Sequence, residues 1–175
     1  MKRLYILLAG IAACAVLAAP ASAATSLVTG NVTAGSLSIS TAATPIFGVA
    51  LNGINQVATY TVPTTVIDAT GSDAGWNLTV SSTPFTDGSF VLADDASHIT
   101  GVASSCDTTC TPLTNAIGYP LSIPADASVV KYFSAEIGEG AGKWTNTPTI
   151  AVDVPANTHV GAYTSTLTLA AVSGP

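Results

Sequence analysis

Trp76-Asn77-Leu78-Thr79-Val80-Ser81 alternates apolar and polar side chains over six residues. Successive side chains of an extended strand point to opposite faces, so the tryptophan, the leucine and the valine share one face. The polar residues then lie together on the other face. This stretch therefore predicts a half-buried β-strand whose tryptophan faces either a protein core or a ligand, and the core is the simpler interpretation because a buried indole N–H needs only a nearby backbone acceptor.

The same period of two recurs in four other stretches, which are residues 36–40, 56–62, 149–154 and 163–169. Turn signals such as Asn52-Gly53 and Asp87-Gly88 separate the stretches. No segment keeps a helical period, although a short turn is expected near residues 125–129. Many short strands between turns predict an all-β fold, an antiparallel β-sandwich of the Ig-like or Greek-key type, with its irregular insertion at residues 106–124.

The amino terminus has the three parts of a secretory signal peptide. Lys2 and Arg3 form a basic start, residues 4–17 carry no charge, and a small-residue cleavage site ends at Ala23. The apolar run is shorter than the ~20 residues that a membrane-spanning helix needs. An alternative is lipoprotein processing at Cys14. We expect cleavage after Ala23, which makes residues 24–175 one exported domain of ordinary size.

Charge excludes two classes of partner. Cleavage after Ala23 leaves Lys131 and Lys143 as the basic residues against ten Asp and Glu, a formal charge of −8. Nucleic acids and anionic membrane surfaces both require cationic patches. Neither is therefore expected as a partner.

Two cysteines remain in the exported part, Cys106 and Cys110. In an exported protein such a close pair most simply forms a disulfide that shapes one loop. A metal site would need four ligands, and the chain offers only His98 and His159 besides the two thiols. No metal and no cofactor are expected.

Two longer stretches resemble a known family. The first is residues 66–81, with an Asp followed by Gly75-Trp76-Asn77-Leu78, and the second is residues 150–169, with a Val154-Pro155-Ala156 turn and the closing run Gly161 to Leu169. Together they resemble the WxL domain family of bacterial cell-surface proteins. The closing strand reads Leu169-Ala170-Ala171 where that family usually carries a second Trp-x-Leu.

The resemblance implies an exported, β-rich protein of the cell surface or cell wall. It implies non-covalent association with peptidoglycan or with other surface proteins. It also assigns a wall-binding motif, or else core positions, to the five residues Trp76, Leu78, Tyr163, Leu167 and Leu169. Tyr119 and Trp144 lie in turn-rich stretches and are candidates for exposed aromatic contacts, the alternative being that each folds over an end of the sandwich.

The acidic residues select no catalytic or metal site. Asp94-Asp95, and Glu136 with Glu139, are consistent with calcium ligands or a glycosidase pair, but neither forms a recognised pattern, and solvated loop acids are the simpler interpretation. Gly-x-Ser-x-Gly and Cys-His arrangements are absent. We expect a non-enzymatic surface protein; the alternative is a structural subunit that assembles through the edges of its strands.

Overall fold

The computed structural model describes residues 24–42 and 44–175 of the chain. The predicted signal peptide and Cys14 lie outside the described residues. The chain divides into two units, Met1–Val32 and Thr33–Pro175. In the first unit, residues 24–32 are exposed and belong to no strand. The second unit contains all of the strands described below.

The described residues of the second unit contain nine strands. They are β1 (Leu37–Ser40), β2 (Gln56–Thr61), β3 (Thr64–Asp68), β4 (Trp76–Ser82), β5 (Ser97–Cys106), β6 (Leu121–Ser122), β7 (Val130–Ala135), β8 (Gly142–Val154) and β9 (Leu167–Ser173). The residues that the structure describes contain no helix.

The strands form two antiparallel sheets. The larger sheet has the order β1-β3-β8-β5-β6, and β2 also pairs with β8. The smaller sheet has the order β7-β4-β9. The core lies between them, which confirms the predicted all-β sandwich.

Strand β4 explains why the sandwich closes. Trp76, Leu78 and Val80 are at most 1% exposed, whereas the intervening residues are half-buried. The alternation predicted from the sequence is therefore confirmed here. Burying large apolar side chains on one face of a strand is the main driving force for packing the two sheets together.

Strand β8 is a central strand of the larger sheet. It pairs with β3 along its first part and with β2 along its second. Pro148 lies where the partner changes. Its carbonyl accepts a hydrogen bond from the Val62 N–H at 3.2 Å, but proline has no N–H to return to the Val62 carbonyl. The fully buried Thr64 hydroxyl donates to that carbonyl instead, at 3.0 Å. A proline is tolerated inside the sheet because a side chain replaces its missing donor.

The closing strand differs from the prediction. The predicted strand covers residues 163–169, but β9 begins at Leu167 and ends at Ser173. Tyr163 precedes it in a loop, and Thr164 forms only an isolated bridge with Thr86. Alternation in the sequence marks which side chains face inward, but it does not determine where the ladder with β4 starts.

Residues 107–120, called the insertion below, contain no strand. Cys106 and Cys110 form the predicted disulfide at the start of the insertion, with their Cα atoms 6.0 Å apart. The Tyr119–Pro120 peptide bond is cis. The insertion is fastened to the turn before β8, because the Thr111 N–H donates to the Ala141 carbonyl at 3.0 Å.

Candidate functional site

Trp76 and Leu78 belong to the core and are inaccessible to a ligand. The Trp76 ring stacks on Phe133 with centroids 5.7 Å apart, and its indole N–H donates to the Gly140 carbonyl at 3.0 Å. Gly140 has a φ of +76°, and a Cβ at this position would lie 2.6 Å from the indole nitrogen. The Gly-rich turn before β8 therefore packs directly against the Trp76 ring. Its Gly140 carbonyl satisfies the one polar atom of the buried indole.

Trp144 and Tyr119, the two predicted exposed aromatic residues, do not present open rings to solvent. Trp144 is only 8% exposed and belongs to the main core, so its prediction as an exposed contact is wrong. Trp144 is buried because every second side chain along this part of β8 faces the core. The turn-rich flanks of the strand conceal this alternation in the sequence. Tyr119 is half-buried, and its hydroxyl donates to the Tyr132 carbonyl and accepts from the Asn115 amide at 2.8 Å. Its burial raises the pKa of the phenol.

A groove lies on one side of the sandwich, between β9 of the smaller sheet and β2 of the larger. We call it the seam groove. It has a volume of about 980 Å³. Its lining comes from β2, from the start of β9 and from the loops that surround them: residues 41, 44–51, 60, 62, 85, 92, 154, 158–167 and 169.

Aromatic side chains form the floor of the seam groove. Phe47 stacks on Tyr60 at 5.8 Å and meets Phe85 edge-on at 5.5 Å. They pack on a second, smaller core cluster that includes Leu92 and Val154. Burial raises the pKa of Tyr60 to about 12, so its phenol is neutral at physiological pH. The floor is therefore apolar and uncharged.

Beside the seam groove lies an exposed aromatic pair, Phe90 and His159, which we call the platform. The two rings stack at 3.6 Å with an interplanar angle of 11°. Phe90 is 42% exposed, although it is a large apolar residue. Phe90 comes from the β4–β5 loop and His159 from the β8–β9 loop, so the platform exists only because the fold brings these two loops together.

Hydrogen bonds hold both halves of the platform. The Asp87 carboxylate accepts from the Phe90 N–H at 2.7 Å and from the Ser89 N–H at 2.9 Å. These two backbone donors lower the pKa of Asp87, and the nearby His159 lowers it further. On the other loop, the Tyr163 hydroxyl donates to the His159 carbonyl at 3.1 Å. The platform is pre-organised, which lowers the entropic cost of binding.

The structure brings only some of the predicted site residues together. Leu167 and Leu169 line the seam groove with Tyr163, and all three are half-buried. Trp76 and Leu78 lie in the main core instead. The five residues assigned by the family resemblance therefore do not form one accessible surface.

The predicted loop acids have structural surroundings. The Glu139 carboxylate accepts from the Thr114 N–H at 2.7 Å, and this backbone bond is the main cause of its lowered pKa. Within residues 24–42 and 44–175, no three His, Cys, Asp or Glu side chains cluster as metal ligands. The same residues include no helix long and apolar enough to span a membrane.

No protein family, no curated protein and no solved structure matches the chain. The seam groove and the platform are therefore candidate sites on the basis of their geometry alone. Sequence reasoning missed the platform and the aromatic floor. The one available signal was Ser89-Phe90-Val91, a short apolar run directly after the Asp87-Gly88 turn.

Proposed function

We propose that this chain is an exported, non-catalytic protein of the bacterial cell surface that associates non-covalently with the cell wall, with peptidoglycan as the ligand, or with other surface proteins. The exposed, pre-organised platform of Phe90 and His159 is the observation that carries the proposal. Two stacked rings from different loops present a flat aromatic face to solvent, and aromatic faces are common anchors in binding sites.

The surroundings of the platform suit a glycan. Aromatic faces pack against the apolar C–H faces of sugar rings, while hydroxyl and carboxylate groups at the rim bond sugar hydroxyls. Asp87, Ser89 and Thr86 flank Phe90 in sequence and supply such groups. The negative charge of the exported chain argues for a neutral or cationic part of the wall polymer rather than for its anionic polymers.

Co-sedimentation with purified peptidoglycan tests this proposal. The full chain is expected to pellet with the walls, and Phe90→Ala with His159→Ala is expected to weaken pelleting about tenfold or more. Val129→Ala is the matched control, since Val129 is 69% exposed but lies outside the platform and the groove. Wild-type protein that stays in the supernatant, or equal loss in the control, would contradict the proposal.

A second candidate function is assembly into a surface structure through strand edges. Strand β9 pairs with β4 alone and is therefore an edge strand of the smaller sheet, and the seam groove lies beside its first residues. Edge strands are the elements through which sheets of different molecules pair. Oligomers that grow with protein concentration would support this function, and a strict monomer would oppose it.

A further inference from the structure

The seam groove and the platform meet along the loop between β8 and β9. His159 lines the groove, and its ring is also half of the platform, stacked on Phe90. Gly161 lines the groove as well, and it lies so close to the Asp87 carboxylate that a Cβ at this position would collide with it. A ligand that rests on the platform therefore has direct access to the groove.

The polar groups of this combined site lie at the platform. The Asp87 carboxylate is held by the N–H groups of Ser89 and Phe90, so it is a fixed hydrogen-bond acceptor beside the stacked rings. Sugar hydroxyl groups donate to carboxylates, and the C–H faces of sugar rings pack on aromatic faces. A negatively charged head group would be repelled by the same carboxylate. The platform therefore suits an uncharged sugar.

The seam groove offers apolar contact instead. Its lining contains no Asp, Glu, Lys or Arg. Several of its hydroxyl groups are already used inside the protein, since those of Thr41, Tyr163 and Ser165 each donate to a backbone carbonyl at 2.5–3.1 Å. The lining therefore has little to offer a charged or strongly polar occupant, whereas an alkyl chain loses no hydrogen bonds on entering.

Aliphatic side chains at the mouth of the groove extend its apolar surface. Ile46, from the loop between β1 and β2, is 91% exposed, and Val160, from the loop between β8 and β9, is 92% exposed. Leu51 is partly exposed, and all three residues line the groove. Apolar side chains concentrated around a concave surface are typical of a binding groove, unlike the single exposed apolar residues found on any protein.

The size of the groove also favours an occupant larger than one sugar ring. Its volume of about 980 Å³ lies at the upper end of the ~300–1,000 Å³ that is usual for small-molecule sites. Such sites are mostly apolar, with a few polar groups that fix the orientation of the ligand. A sugar bound on the platform alone buries none of the aromatic floor, whereas an attached alkyl chain does.

We propose that the platform and the seam groove form one site for a neutral glycolipid, with its sugar head group on the platform and its alkyl tail in the groove. This inference rests on the proposed function for the assignment of the platform to a sugar. The tail covers the apolar floor at Phe47 and Tyr60, and the Asp87 carboxylate accepts a hydrogen bond from a sugar hydroxyl.

Octyl glucoside below its critical micelle concentration is the probe, because it joins an uncharged sugar to an alkyl chain. Glucose supplies the head group alone, and octanoate supplies a similar tail with a negative charge. Isothermal titration calorimetry of the exported protein is expected to show octyl glucoside binding at least about tenfold more tightly than either. Equal affinities for octyl glucoside and glucose would overturn the tail site. Equal affinities for octyl glucoside and octanoate would overturn the sugar head group.

Three variants locate the two parts of the ligand. Val160→Asp places a charge at the mouth and is expected to weaken octyl glucoside binding at least about tenfold. Phe90→Ala removes the exposed ring and is expected to weaken it about three- to tenfold. Ile137→Asp is the matched control and is expected to bind like wild type, since Ile137 is 74% exposed in the turn before β8 and lies outside the groove.

Circular dichroism verifies that each variant is folded. Wild-type affinity in either Val160→Asp or Phe90→Ala, or equal loss in Ile137→Asp, would overturn the proposal.

Wall pelleting separates this proposal from the proposed function. Wild-type protein that pellets with purified peptidoglycan but binds octyl glucoside no more tightly than glucose would overturn the glycolipid site and keep the proposed function. Wild-type protein that binds octyl glucoside as expected but stays in the supernatant would overturn wall association and keep the glycolipid site.

Discussion

The two ends of the core are built from the same kinds of residue but are closed in different ways. At the Trp76 end, strands of both sheets face each other, and Trp76, Leu78, Phe133 and Ile150 are at most 1% exposed. At the seam groove, the start of β9 and strand β2 are joined by loops, and half-buried loop residues such as Phe47 pack against the cluster that contains Val152 and Val154.

The comparison separates folding from binding. Where two sheets interdigitate, no space remains for a ligand, so residues there act through stability. Where loops complete the packing, as at the seam groove, apolar side chains remain accessible. Trp76, the tryptophan of the motif that resembles the WxL family, is therefore a folding residue. The accessible features lie at the seam groove and the platform instead.

The largest expected effect on stability comes from removing the Trp76 side chain from the closed part of the core. Trp76→Ala is expected to lower the free energy of unfolding by about 3–5 kcal/mol, because it leaves a large cavity beside Phe133. Phe90→Ala, at the exposed platform, is expected to cost less than about 1 kcal/mol. Chemical denaturation measures both. Similar losses from the two substitutions would break the distinction between closed and open regions.

A pair of glycine substitutions sharpens the account of the tryptophan seat. Gly140→Ala is expected to lower the free energy of unfolding by about 2–4 kcal/mol, because its methyl group collides with the indole and its φ is positive. Gly138→Ala is the control, since its φ is +82° and a Cβ there meets nothing within 4 Å. It is expected to cost about 1–2 kcal/mol from backbone strain alone. Equal costs would mean that the indole moves aside freely.

The loop cover of the groove is expected to matter less than the closed core. Phe47→Ala removes a half-buried ring that contacts Tyr60 and Phe85. The expected loss is about 1–2 kcal/mol, roughly half of that for a fully buried aromatic residue. Thermal unfolding measures it. A loss as large as that from Trp76→Ala would show that the seam is an integral part of the closed core.

The smallest effect concerns pH. The pKa of Asp87 is lowered in the folded state by the backbone N–H groups of Phe90 and Ser89. Its stabilising contribution is therefore complete above the unfolded pKa of about 4 and is lost as the pH falls through the lower folded value. Asp87→Asn removes this titration. Between about pH 6 and about pH 2, the free energy of unfolding of the variant is expected to fall slightly less than that of wild type. An identical fall in the two proteins would contradict the role assigned to Asp87.

The sequence predicted the fold class and the inward faces of the strands well. Period-two alternation depends only on which side chains face the core, and the positions of Trp76, Leu78 and Ile150 follow from it. The disulfide also followed from the local spacing of two cysteines. Strand β3 was missed because two of its inward positions carry the polar residues Thr64 and Asp68. Strands β5 and β7 were missed because their burial patterns are less regular, as in β7, where residues 132–135 are all buried.

The accessible features could not be predicted, because they depend on the pairing of distant segments. Phe90 and His159 are 69 positions apart in the sequence and meet only because Thr86 bridges Thr164. The position of β9 as an edge strand follows from the strand order of the smaller sheet, which no local pattern encodes. The misplaced Trp144 shows the same limit, since turn residues around a strand conceal its inward face.

Amide hydrogen exchange of the dilute, monomeric protein tests the central claim most directly, because it measures the pairing of β9 residue by residue. The account predicts that the amides of Thr168 and Ala170, which face β4, exchange at least about tenfold more slowly than those of Leu167 and Leu169, which face away from β4 and have no ladder partner. Uniform protection along all four residues would contradict it, because the edge would then already be paired.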